Sequence, residues 1–153
     1  MNRYGIEIAV KNAPKLDPEF MPILKFNRSF LNTAKKPVSI AVERADGQMA
    51  TCHTYIHGTP EMAQADHYYV NRLVKTILWM KGGFKVYVSG DEDIYSYLKK
   101  TFAPGGARSF DSDFMAGVYE RPFEVVFCDK VPQEAGAPRL SAAIWRAAGW
   151  GFD

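Results

Sequence analysis

The stretch from Asp66 to Gly90 most constrains the fold, because its hydrophobic period changes once along its length. At about 100° per residue, large apolar side chains of the first part share one broad arc, which predicts a long amphipathic helix. They are Tyr69, Val70, Leu73, Val74, Ile77, Leu78 and Met80. Gly82-Gly83 ends the helix, and alternation at Phe84, Val86 and Val88 then predicts a half-buried strand. A helix that leads into a strand and then into another helix is the repeating unit of an α/β sheet.

The other elements are predicted from turn residues and alternation. Val38 to Tyr55 has the pattern of a hairpin, in which Asp46-Gly47 supplies two positive-φ positions. Thr59 is placed to cap the long helix, with Pro60 in its first turn. We also predict a strand at 3–10, helices at 22–34, 91–103 and 139–148, an irregular but anchored segment at 107–122, and a strand buried on both faces at 123–128. The fold class is therefore α/β, a mixed sheet flanked by helices, and the element order is compatible with a degenerate ribonuclease-H-like or actin-like ATPase lobe.

Length and charge limit the possible classes of function. A chain of 153 residues is expected to form a single domain, and a net charge of +2 argues against a nucleic-acid partner. The N-terminus has no secretory pattern, and no apolar run is long enough for a membrane span. Cys52 and Cys128 are expected to be reduced thiols. We therefore predict a cytoplasmic protein that contacts neither nucleic acid nor membrane.

The candidate ligand site is the crevice where the strand after Gly82-Gly83 meets the next helix. Ser89, Gly90, Asp91 and Asp93 stand at this junction, and crevices of this kind bind ligands in open α/β sheets. The acids disfavour a phosphate, and helix capping is the alternative explanation for them. Arg108, after a Gly-Gly pair, is the candidate for contacting an anion.

Catalytic and metal-binding patterns are not found in the sequence. His53 and His57 share a strand face but stand about 13 Å apart, too far to ligate one metal ion. No arrangement of Ser, His and Asp or of Cys and His suggests a nucleophile. We predict no catalytic residue, no metal and no cofactor.

Large aromatic side chains at positions expected to be exposed suggest an interface instead. Tyr68 and Trp79 lie on the polar arc of the long helix, and Trp145 and Trp150 lie near the end of the chain. Exposed aromatic residues of this kind mark contacts with another chain or domain. The alternative is that loops cover them.

The chain also resembles a known family in one long run. Val70 to Val125 has the sequence VNRLVKTILWMKGGFKVYVSGDEDIYSYLKKTFAPGGARSFDSDFMAGVYERPFEV. It is similar to the N-terminal segment that precedes the kinase domain in some bacterial proteins of the ROK family, the glucokinase-like sugar kinases. The resemblance covers most of residues 4 to 132, and the final Gly151-Phe152-Asp153 matches the start of that family's first phosphate-binding strand.

This resemblance implies a single domain, residues 1–153, that precedes a kinase domain beginning near residue 151. The family's catalytic aspartate, zinc-binding cysteines and Glu-x-x-His motif have no matching positions here, so no kinase activity is expected of this piece alone. The resulting hypothesis is a non-catalytic accessory domain whose partner is its own kinase domain or a second copy. The alternative is a small-molecule protein or enzyme that binds a sugar or phosphosugar near Gly90, and a nuclease ranks third.

Overall fold

A four-stranded mixed sheet lies at the centre of the computed structural model, which describes residues 2–7 and 23–132. In chain order the elements are β1 (Asn2–Arg3), β2 (Ile6–Glu7), α1 (Ile23–Thr33), β3 (Lys36–Glu43), β4 (Met49–Ile56), α2 (Ala63–Lys81), β5 (Lys85–Ser89), α3 (Glu92–Thr101), α4 (Ser109–Tyr119) and β6 (Glu124–Phe127). The strand order in the main sheet is β4-β3-β5-β6, and β1 and β2 form a separate small hairpin. β3 is antiparallel to β4 and β5, whereas β5 and β6 are parallel. The predicted α/β class with a mixed sheet is confirmed.

The hairpin formed by β3 and β4 turns where its sequence predicts. Asp46 and Gly47 have φ values of 60° and 73°, as the turn requires. The backbone N–H of Arg44 donates to the carbonyl of Gln48 at 2.7 Å and closes the turn. The register pairs Ile40 with Cys52, which places alternate residues of both strands on one face.

That face of the sheet carries the core. Val38, Ile40 and Val42 of β3 are buried, and so are the neighbouring side chains of β4 and β5. α2 contacts β3 and β4, and α3 contacts β5 and β6. The buried arc of α2 contains Tyr69, Val70, Leu73, Val74, Ile77 and Leu78, as predicted. Burial of each such side chain contributes about 1.5–3 kcal/mol, so packing of α2 against the sheet is a substantial part of the stability.

Both ends of α2 lie near their predicted positions, with two differences. The backbone N–H of Gly82 donates to Leu78 at 2.8 Å and ends the helix. A short 3₁₀ helix, Pro60–Met62, comes between Thr59 and α2, and the Thr59 side chain makes no capping bond. The prediction that Met80 faces the core is wrong, because its side chain is 48% exposed.

The segment at 107–122, predicted to be irregular, contains the helix α4. In α4 polar side chains are buried and large apolar side chains are exposed, so the helix lacks the inward apolar stripe by which a helix is usually predicted. Asp111, Ser112 and Met115 are buried, whereas Phe110, Phe114 and Val118 are exposed. Glu120, in the left-handed conformation, ends the helix.

Two strand predictions also need correction. The strand predicted at 3–10 is interrupted by a turn at Tyr4-Gly5, where both φ values are positive, so the chain forms the β1–β2 hairpin. β6 was predicted to be buried on both faces, but it is an edge strand with β5 as its neighbour in the described sheet. Val125 is buried, whereas Phe127 is 38% exposed. The predicted helix at 139–148 lies outside the described residues, as does the predicted domain boundary near residue 151.

Candidate functional site

A cleft of about 350 Å³ lies at the predicted crevice, beside the ends of β4 and β5. The residues after β4, the start of α2 and the start of α3 form its walls. It is lined by Ile56, Gly58, Thr59, Pro60, Ala63, Asp66, Asp91 and Asp93. β4 and β5 are both antiparallel to β3, so their carboxyl ends meet at one edge of the sheet and create this cleft. We call it the acidic cleft, because three aspartates line it.

Asp91 is held in the acidic cleft as a fixed anion. It is the N-cap of α3, where its Oδ1 accepts the backbone N–H of Ile94 at 2.9 Å. Lys36, from the start of β3, donates to its Oδ2 at 2.6 Å. Burial acts to raise the pKa of Asp91, but the hydrogen bonds from Lys36 and Ile94 outweigh it and lower that pKa below its ordinary value.

Stability at acid pH should report this arrangement. Because the pKa of Asp91 is lower in the fold than the ordinary 3.8, its ionised form stabilises the fold above that pH, and the contribution is lost as pH falls through the lowered value. We expect Asp91→Asn to be less stable than wild type at about pH 6 and to show a smaller loss of stability below about pH 4. Urea unfolding across this range measures the effect. Lys36→Gln should likewise weaken the pH dependence, and parallel curves for all three proteins would contradict the assignment.

Asp66 anchors the turn between β4 and α2. It is 2% exposed, and its two oxygens accept the backbone N–H groups of His57 and Gly58 at 3.0 and 2.9 Å. The same carboxylate contacts His57 Nδ1 at 2.9 Å, and His57 Nε2 contacts the Thr33 hydroxyl at 2.7 Å. The sequence alone did not indicate this chain of contacts from Asp66 through His57 to Thr33, although an acid in the first turn of α2 was a visible signal. Neither Thr33 nor His57 lines the acidic cleft. Their contacts with Asp66 therefore join α1, β4 and α2, and the Thr33 hydroxyl is not placed as a nucleophile in the cleft.

Asp93 is the most accessible acid of the acidic cleft. Its side chain is 67% exposed, and one oxygen contacts His67 Nε2 at 2.7 Å. The His67 ring stacks on Tyr97 with centroids 4.1 Å apart. Three carboxylates therefore line the cleft, and Lys36 contacts one of them, Asp91. This excess of negative charge disfavours anions, whereas carboxylate oxygens can accept hydrogen bonds from hydroxyl groups.

The other predicted ligand residues are placed differently. Ser89 is buried and pairs with Ser39 in the sheet, and Gly90 packs against the backbone of Pro37; neither lines the acidic cleft. Arg108 lies in a separate cleft on α2, where its Nε donates to Asn71 Oδ1 at 2.8 Å. The structure thus brings Asp91 and Asp93 together and places Arg108 elsewhere.

The predicted interface residues have separate surroundings. Tyr68 is half-buried between Tyr4 and Phe26, with ring centroids 5.1 and 4.9 Å away. Trp79 is 47% exposed, lies 5.4 Å from the Phe114 ring, and donates from Nε1 to Asp111 at 3.1 Å. Trp145 and Trp150 lie outside the described residues.

Comparison with protein-family models, curated proteins and solved structures found no match to this chain. Within residues 2–7 and 23–132, no three His, Cys, Asp or Glu side chains are grouped to hold a metal ion. No helix in the same ranges combines the length and the apolar content needed to cross a membrane.

Proposed function

We propose that this protein binds a neutral polyhydroxylated small molecule, of monosaccharide size, in the acidic cleft. The main support is the pair Asp91 and Asp93 at the N-terminus of α3. Both line a cavity of about 350 Å³ at the ends of two strands of the sheet. Small-molecule sites occupy about 300–1,000 Å³, so this volume suits a single sugar ring. Carboxylate oxygens accept sugar hydroxyls, and Ile56, Pro60 and Ala63 offer an apolar wall to the C–H groups of such a ring.

Charge selects among sugars. Asp91 carries a pKa below the ordinary value, so it is ionised at neutral pH, and Lys36 is already engaged with it. A phosphorylated sugar would bring further negative charge toward three carboxylates. We therefore favour an uncharged hexose over its phosphate as the ligand.

Isothermal titration with glucose, galactose, mannose and their 6-phosphates tests this function. We expect saturable binding of at least one neutral hexose and much weaker binding of the corresponding phosphate. Asp93→Asn should weaken hexose binding by about tenfold or more, because one charged hydrogen-bond acceptor is lost. Its melting temperature should stay close to wild type, since Asp93 is largely exposed.

Asp113→Asn is the matched control for this titration. Asp113 is also exposed, but it lies on α4 and does not line the acidic cleft. Its variant should bind hexose as wild type does. Absence of hexose binding, or equal weakening by Asp93→Asn and Asp113→Asn, would overturn the proposal.

A second candidate function is supported by a separate observation. Trp79, Phe110, Phe114 and Val118 are all exposed, by 47%, 72%, 47% and 59%, and the three rings are neighbours. We call these four side chains the aromatic patch. They support an accessory domain of a ROK-type sugar-kinase-like protein, with the kinase domain as the partner that covers them. Under this second candidate function, the domain would have the fold of a ribonuclease-H-like or actin-like ATPase lobe.

Sedimentation of the same samples separates the two functions. An isolated accessory domain that exposes the aromatic patch should self-associate, and Phe110→Ser should reduce that association. A monomer that binds hexose supports the proposal that the acidic cleft is a sugar-binding site. Self-association without hexose binding supports the accessory domain.

A further inference from the structure

A second cleft, of about 320 Å³, lies on α2 beside the acidic cleft and has the opposite charge. We call it the arginine cleft, because Arg72 and Arg108 line it. Rings of Tyr68, Tyr97 and His67 also line it, and no carboxylate is among its lining residues in the described structure. The contact between His67 and Asp93 separates the two clefts, since His67 lines one and Asp93 lines the other.

Arg72 is the unusual side chain of the arginine cleft. Its guanidinium lies over the Tyr68 ring, 5.8 Å from the ring centroid. Its Nε is buried and has no hydrogen-bond acceptor, and within residues 2–7 and 23–132 no carboxylate lies within ion-pair distance of it. The buried Nε–H of Arg72 is costly, because it has lost water without gaining a hydrogen-bond acceptor. An anion supplied from outside would remove this cost.

Arg108 is held in position on the same cleft. Its Nε donates to Asn71 Oδ1 at 2.8 Å, and Asn71 Nδ2 donates to the Tyr97 hydroxyl at 2.8 Å. Its Nη1 lies 3.6 Å from Asp111, at the start of α4. These contacts use only part of the guanidinium, which has five N–H donors in a planar fork that matches the geometry of carboxylate and phosphate.

We propose that the arginine cleft binds an oxyanion, a carboxylate or a phosphate, carried on a small aromatic ring. Arg72 and Arg108 bind the charged group, and the rings of Tyr68, Tyr97 and His67 contact the planar part of the ligand. This site goes beyond the proposed sugar-binding function and does not depend on it. The two clefts would bind different classes of ligand. The acidic cleft would bind a neutral, hydroxyl-rich molecule, and the arginine cleft would bind a planar anion.

Titration of the full chain with four probes tests the site. Phenyl phosphate and benzoate distinguish phosphate from carboxylate, inorganic phosphate lacks the ring, and benzyl alcohol lacks the charge. We expect phenyl phosphate or benzoate to bind more tightly than inorganic phosphate and benzyl alcohol. Arg72→Gln should weaken the tighter probe by about 10- to 100-fold, as expected for a lost charge-assisted hydrogen bond.

Arg121→Gln is the matched control, because Arg121 is exposed, lies over the Phe84 ring and does not line the arginine cleft. It should bind the probes as wild type does. Arg72→Gln should change the melting temperature only slightly, since the native guanidinium has no acceptor to lose at Nε and its contact with the Tyr68 ring contributes only a small stabilisation. The proposal is overturned if neither aromatic anion binds, if benzyl alcohol binds equally well, or if Arg72→Gln binds like Arg121→Gln.

Discussion

Replacing Gly90 with alanine is expected to destabilise the fold by about 3 kcal/mol or more, combining backbone strain and overpacking. Gly90 has a φ of 101°, a conformation that side chains with a Cβ rarely adopt. An added Cβ would lie 2.6 Å from the Pro37 carbonyl oxygen and 3.2 Å from Val38 Cα, and both are backbone atoms of β3. Neither can move without disturbing the centre of the sheet. Urea unfolding followed by circular dichroism measures the loss.

Gly105→Ala is the matched control for this substitution. Gly105 also has a positive φ, 79°, but nothing lies within 4 Å of a Cβ built on it. It should therefore lose only the conformational term, about 1–2 kcal/mol. Equal losses at the two positions would show that the approach of Gly90 to β3 is not tight.

Replacing Asp66 with alanine is expected to cost about 3–5 kcal/mol, because two or more hydrogen bonds to a buried carboxylate are lost together. The carboxylate accepts two backbone N–H groups and contacts His57 Nδ1, so its loss leaves three polar groups without this partner. Each hydrogen bond to a charged group contributes about 1.5–3 kcal/mol. Thermal and urea unfolding both report the effect.

Asp93→Ala provides the comparison at the same cleft. Asp93 also contacts a histidine, but its side chain is 67% exposed, and exposed ion pairs contribute about 0–1 kcal/mol. We expect a loss within that range. If Asp66→Ala were no more destabilising than Asp93→Ala, the turn between β4 and α2 would be held by other contacts, and our assignment of Asp66 as its anchor would be wrong.

Local patterns were sufficient to predict most of the elements. The Asp46-Gly47 turn, the buried arc of α2 and the capping acid Asp91 each depend on residues a few positions apart, and each was predicted. α4 was missed because its large apolar side chains face outward, so its burial pattern contradicts the usual relation between hydropathy and the core. The turn at Tyr4-Gly5 was missed because alternation alone suggested a longer strand.

The candidate sites were harder to predict, because they depend on contacts across the chain. Asp91 and Asp93 were found from their position after a strand, which is a local signal. The contact of His57 with Thr33, and the sharing of one cleft by Arg72 and Arg108, arise only when separate helices and strands pack together. No spacing in the sequence indicates such pairs.

The position of β3 in the sheet also affects how the chain can assemble during synthesis. β4 lies beside β3, β5 lies on the other side of β3, and β6 lies beside β5. Every strand after β3 in the main sheet therefore joins a neighbour that the ribosome has already made. The first of these steps, closure of the β3–β4 hairpin, has the shortest loop and the smallest entropic cost. The sheet can grow in the direction of translation, and no strand after β3 in the described sheet has to wait for a partner that has yet to be synthesised.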